Sequence, residues 1–217
     1  MVNETQVHDD YTYFKALFFV DNKTGTNNTP FVPIMVTHLE AWGKDRDDIF
    51  EAAMENQISS EILLVPLEDA WNKNLSELGK YNCYNGESTL DVLNKTEKFL
   101  LTSSTLYCSS SLALNDRVLS NLYKLLGTDY YVLLVSFREI MIIPDRAGID
   151  IRQVMDYQKS LYGTKKIPDE AVADEIFYFV GKRGQLIRVH KTSDELKVRL
   201  TAAKREIIIQ SFQRANA

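Results

Sequence analysis

Apolar residues in this chain come in short bursts separated by polar, glycine-rich or asparagine-rich connections, and the spacing inside each burst predicts its element. "FKALFFV" (14–20) and "FVPIMV" (31–36) are aromatic and β-branched, and "DNKTGTNNTP" between them reads as the long polar loop of a hairpin. Thr37 and Glu40 form a capping box that opens a short helix, which Gly43 ends after Trp42. Asp45 or Asp48 starts a second helix whose Ile49, Phe50, Ala53 and Met54 share one stripe. "EILLVP" (61–66) reads as a strand closed by Pro66, within a weakly patterned stretch, 57–96, that has the character of an insertion. "KFLLTSS" and "LYCSSSLAL" predict a second hairpin, followed by a helix with Asn115 as its cap, Val118, Leu119, Leu122, Leu125 and Leu126 as its apolar face, and Gly127 at its end.

"DYYVLLVS" and "EIMIIP" predict a third strand pair, jointed at Phe137-Arg138-Glu139. Asp150 caps the next helix, with Ile151, Val154, Met155 and Gln158 on one face. "EIFYFV" and "QLIRVH" form a fourth hairpin turning at "GKRG". Thr192 and Glu195 supply a further capping box for a last amphipathic helix, "ELKVRLTAAKREIIIQSFQ". Adjacent strands joined by short connections pair antiparallel. The expected fold class is therefore α+β: antiparallel hairpins with helices packed against one face of the sheet, and hairpin-then-helix order at both 14–42 and 98–127. The expected organisation is a single α+β domain over 1–190 followed by a basic helix over 191–217.

Charge changes this picture more than composition does. Residues 182–217 carry nine Lys or Arg against three acids, while the preceding 181 residues carry 16 basic and 27 acidic side chains. An acidic body with a basic tail is suited to steering an encounter with a macromolecule. On the last helix Lys197, Arg199, Lys204 and Arg205, with Ile207 and Phe212 on its apolar side, are the expected interaction residues. The expected partner is a protein, with a homodimer through this helix and nucleic acid as alternatives. Nucleic-acid readers interleave basic and aromatic residues on their sheets, and the aromatic strands here lack basic neighbours. The longest apolar run, "YYVLLVSF", is far below the roughly 20 residues that span a bilayer, and the N-terminal residues have no leader pattern, so a cytoplasmic protein without membrane contact is expected.

Candidate chemistry is sparse. Arg138 and Glu139 are the weak catalytic candidates, an anion clamp beside a general acid or base, with a charged hairpin corner as the simpler reading. The dispersed glycines form no phosphate-cradling loop, and neither a nucleophile elbow nor a zinc-protease helix occurs. Cys83 and Cys108 read as free thiols, and combining them with His8, His38 or His190 gives no close metal-ligand spacing, so no metal or cofactor is expected.

Three blocks carry a resemblance. They are "FFVDN" with "FVPIMVTHLEAWGKDRDDIFEAAMEN", marked by Thr37, Leu39, Trp42 and Gly43, then Phe50, Ala52, Ala53 and Asn56; "LYKLLGTDYYVLLVSFREIMIIPD", marked by Leu125, Gly127, Asp129 and Tyr131, then Ser136, Glu139 and Pro144; and "DEAVADEIFYFVGKRGQLIRV". With these the chain resembles the bacterial family of unknown function numbered 5688, found chiefly in gut anaerobes, and more distantly the family numbered 1444. The resemblance covers about residues 10–190 and implies no catalytic residue. The resulting expectation is a non-enzymatic interaction or regulatory protein, with a mobile-element inhibitor of host defence as its most specific form. An enzyme built on Glu139 and Arg138, and a nucleic-acid binder acting through the tail, are the alternatives.

Overall fold

The computed structural model describes residues 8–10, 15–17, 19–21, 31–59, 61–72, 75–85, 90–104, 109–136, 138–146, 149–163 and 176–189. They belong to two compact units, one before residue 60 and one within 60–212.

In the first unit the apolar run 14–20 does not form one strand. Strand β1 (His8–Asp10) pairs antiparallel with β2 (Lys15–Leu17), and β3 (Phe19–Asp21) pairs antiparallel with β4 (Phe31–Pro33). Its first half therefore turns back to an earlier segment, and only its second half makes the expected hairpin. Helix α1 (Val36–Trp42) has Met35 at its N-cap, two residues before the expected Thr37. The reciprocal pair is Met35 and His38: the His38 amide donates to the Met35 carbonyl at 2.8 Å, and the Met35 amide donates to His38 Nδ1 at 3.1 Å. The imidazole supplies the acceptor that Glu40 was expected to supply, so the helix begins earlier. Gly43 ends α1 at φ 62°, a left-handed conformation that glycine reaches without a Cβ clash. Helix α2 (Arg46–Ser59) is opened by Asp45 and Asp48, each carboxylate accepting the other's amide, at 2.8 and 3.1 Å. Ile34 is buried against Leu39, Ile49, Phe50 and Ala53, which form the small core of this unit.

In chain order the second unit runs β5 (Ile62–Pro66), α3 (Leu67–Asn72), a 3-10 helix (Leu75–Tyr81), α4 (Leu90–Lys95), β6 (Phe99–Ser103), a second 3-10 helix (Ser109–Leu114) and α5 (Asp116–Leu126). Then come β7 (Tyr130–Ser136), β8 (Glu139–Pro144), α6 (Ile151–Gly163), β9 (Ile176–Val180) and β10 (Gln185–Val189). The strands make one antiparallel sheet of six in the order β10-β9-β7-β8-β6-β5. The α+β class with antiparallel hairpins is as expected, and β5, from the poorly patterned stretch, is an integral edge strand.

Helices cover both faces of this sheet rather than one. Register places Tyr131, Leu133, Met141, Ile143, Ile176 and Tyr178 on the face where they pack with Ile151 and Val154 of α6. Tyr130, Val132, Ile142 and Phe179 lie on the opposite face, where α5 sits: the buried Tyr130 hydroxyl donates to the Leu119 carbonyl at 2.8 Å, and the Tyr123 ring lies 6.5 Å from that of Phe179. Strands buried on both faces need no polar alternation, which explains the unbroken apolar text of "YYVLLV" and "IMIIP". Helix α5 forms as expected, its Asn115 side chain accepting the Arg117 and Val118 amides and Gly127 closing it at φ 69°. Asp150 likewise accepts the Arg152 amide at 2.9 Å to open α6.

The expected second hairpin is not made, because residues 109–114 coil as a 3-10 helix. Ser109 Oγ lies 3.0–3.1 Å from the Ser103 amide, the Ser103 hydroxyl and the Thr102 hydroxyl. Serine side chains bond the strand locally in place of a backbone ladder. The vacated edge of β6 pairs with β8 instead. The last helix, its Thr192–Glu195 box and the tail residues lie outside the described residues.

Gly181 shows how closely the α5 face is filled. A Cβ at this position would fall within the ring of Tyr123. Gly181→Ala is therefore expected to destabilise the protein by about 1–3 kcal/mol in chemical denaturation. Gly79→Ala, where a Cβ meets nothing within 4 Å, should stay within about 0.5 kcal/mol of the parent. Equal midpoints for the two variants would contradict this packing.

Candidate functional site

Polar chemistry gathers where β8 leaves the sheet. Pro144 is its last residue, and Asp145 and Arg146 follow at once. The Asp145 amide donates to the Asp129 carbonyl at 2.8 Å, and the Thr128 hydroxyl donates to the Asp145 carbonyl at 3.0 Å. Tyr178 from β9 donates its hydroxyl to Asp145 Oδ2 at 2.7 Å, with Asp129 Oδ2 at 3.4 Å. Asp129 Oδ1 accepts the Gly181 amide at 2.9 Å. Burial first, then the bond to Asp145 and the neighbouring carboxylates, push the Tyr178 pKa far above its ordinary value, so the phenol is a permanent donor. Two carboxylates, a phenol and a backbone amide thus tie together the starts and ends of three strands.

That strap presents Arg146. Its Nη1 donates to the carbonyls of Asn94 at 2.6 Å and Thr96 at 3.1 Å, at the C-terminal end of α4. Cationic donors suit the unsatisfied carbonyls of a helix end. Its Nη2 is buried with no hydrogen-bond partner among the described residues, and burial draws the guanidinium pKa down from its ordinary value. Unsatisfied buried donors of this kind are costly.

Arg146 lines a cavity of about 530 Å³ between the 94–98 segment and α6. Lys95, Lys98, Gln153 and Tyr157 share its polar wall, and Ile143, Ile149 and Val154 share its apolar one. The Lys98 ammonium sits 4.6 Å from the centre of the Tyr157 ring and 3.8 Å from Glu97 Oε2. A ring face holds a cation without neutralising it. Lys95 is engaged by Asp91 at 2.7 Å on the surface. Glu97, the one carboxylate on the wall among the described residues, is 82 % exposed. The wall can therefore hold an anion beside apolar surface, and among the described residues it gathers no nucleophile with a base.

The residues singled out from sequence lie elsewhere. Arg138 and Glu139 form the corner between β7 and β8, at the opposite end of β8 from the cavity. The Arg138 amide donates to Ser136 Oγ at 3.1 Å, and its carbonyl accepts the Thr102 hydroxyl at 2.9 Å, so the corner is held through its backbone. Glu139 is half-buried, and burial raises its pKa despite the opposing charge of Arg138. Cys83 is a buried free thiol 3.5 Å from the Tyr81 carbonyl, and His38 is committed to the α1 cap. Among the described residues no three His, Cys, Asp or Glu side chains cluster as metal ligands, and no helix is long and apolar enough to cross a membrane. Cys108, His190 and the tail residues Lys197, Arg199, Lys204, Arg205, Ile207 and Phe212 lie outside the described residues. Sequence reasoning missed Lys98, Arg146 and Tyr157. Their one signal was "IIPDR", in which a charged pair follows directly on a two-face-buried strand and must be held by something beyond the sheet.

The chain belongs to a family of unknown function (DUF5688), whose model matches residues 3–180. That span contains every residue of the cavity and the Asp129–Asp145–Tyr178 strap, and it ends before the basic segment. Neither a curated protein nor a solved structure matches the chain.

The raised Glu139 pKa has a definite stability consequence. A carboxyl that holds its proton more tightly when folded contributes fully below its unfolded pKa, and that contribution is lost as pH rises through the folded pKa. Glu139→Gln is therefore expected to be more stable than the parent at pH 7, the difference closing below about pH 4. Paired thermal melts across that range check it, and a difference independent of pH would contradict burial as the cause.

Proposed function

We propose that this member of the family is a binding protein rather than a catalyst, and that the cavity beside Arg146 receives an anionic group. One observation carries the reading: Arg146, Lys95 and Lys98 line one cavity whose single carboxylate among the described residues, Glu97, is 82 % exposed. An entering anion would meet the positive charge of Arg146, and Lys98, only weakly engaged by Glu97, would add a second. The cavity is also within the roughly 300–1,000 Å³ range of small-ligand sites. The segregated charge of the chain supports a second, separate role for the basic tail in holding a protein partner.

Amide NMR of the labelled protein titrated with benzoate and with inorganic phosphate, each against chloride at matched ionic strength, tests this reading. At least one of these anions should move the amides of residues 94–98, 146 and 149–157, and benzylamine should not. A chain ending at His190 should respond alike. Failure of both anions to move these amides, or an equal response to benzylamine, would overturn the cavity reading. Loss of the response on truncation would transfer the site to the tail.

A further inference from the structure

The donors on the cavity wall also discriminate between anions, and this inference rests on the cavity reading above. Arg146 offers the charge of a guanidinium that Nη1 anchors to two carbonyls. Lys98 offers the other charge, held near the face of Tyr157. Two donor groups match the two oxygens of one carboxylate. A phosphate dianion is better served by several converging donors, such as a helix N-terminus or a glycine-rich loop. Here the neighbouring backbone shows the opposite polarity: the carbonyls of Asn94 and Thr96 stand at the end of α4, and the carboxylate of Glu97 is close by. A second negative charge would be placed against these oxygens.

Beside the cations the wall turns apolar at Ile143, Ile149 and Val154. Ile143 and Val154 belong to the buried cluster between the sheet and α6, and Ile149 packs against it, so this wall is rigid core rather than loop. A small acid such as acetate would satisfy the donors and leave this surface wet. The geometry points to a monocarboxylate carried on an apolar body, its carboxylate beside the Arg146 guanidinium and the Lys98 ammonium and its body lying against Ile143, Ile149 and Val154. Such a group comes either from a free small acid or from the C-terminal residue of a peptide, and the chemistry of recognition is the same for both.

Calorimetric titration of the full chain with 4-phenylbutyrate, acetate, inorganic phosphate, 4-phenylbutyramide and a short peptide ending in leucine, with its C-terminal amide as control, separates the outcomes. Phenylbutyrate should bind at least about tenfold more tightly than acetate, since each buried methylene contributes several-fold. It should also exceed phosphate and its own amide by about tenfold or more. Lys98→Met, which keeps the stem and removes the charge, should weaken phenylbutyrate about tenfold with the melting temperature unchanged. If the free-acid peptide exceeds phenylbutyrate and its amide does not bind, the source is a protein C-terminus. If phenylbutyrate leads, the source is a small acid, and both results support the carboxylate assignment. Phosphate binding as tightly as phenylbutyrate would overturn this inference and leave the anion cavity standing. Binding of the amide as tight as the acid, or binding by none of these, would remove both.

Discussion

Strands β7 and β8 are covered on both faces, by α5 on one and α6 on the other, so charged side chains in their neighbourhood are driven to the strand ends. Burial of a charge in that interior would cost several kcal/mol. At one end Arg138 keeps its side chain exposed while Glu139 is only half-buried. At the other end the polar groups are not left to solvent. The Tyr178 hydroxyl bonds Asp145 Oδ2 and Asp129 Oδ1 takes the Gly181 amide, joining the termini of three strands, while Asp145 Oδ1 is buried without a partner among the described residues.

This strap connects the fold to the cavity. It sets the direction in which the chain leaves β8, and so where Arg146 meets the end of α4. Arg146 is anchored through Nη1, while its Nη2 is buried without a partner among the described residues. A donor held in place before a ligand arrives loses little freedom on binding.

Much of the fold was legible in the sequence because its signals are local. Asn115, Gly127, Asp150 and the "GKRG" turn act through bonds to residues within a few positions, and each does what its text implies. The failures have distinct physical causes. A histidine took the capping part assigned to Glu40, since the Nδ1 of His38 also accepts an amide and lies nearer the start of the helix. Ser109 folded its segment onto β6 through hydroxyls, and hydroxyl pairing leaves no alternating pattern to read. Coverage of both sheet faces was hidden because a fully buried strand and a half-buried one differ only in what lies opposite. The cavity was illegible for a related reason: Lys98, Arg146 and Tyr157 come from three segments, and only the antiparallel pairing of β6 with β8, with α6 laid across, brings them to one wall.

The central claim is that the doubly covered β7–β8 pair is the most stable part of its unit and that the polar strap and the cavity are positioned by it. Native-state hydrogen exchange of backbone amides tests it most directly. The account predicts that the amides of Val132, Leu133, Met141 and Ile142 exchange only through global unfolding, with the full denaturant dependence of that transition, while those of edge strands β5 and β10 exchange through smaller openings. Exchange of the β7 and β8 amides through openings as small as those of the edge strands would contradict it.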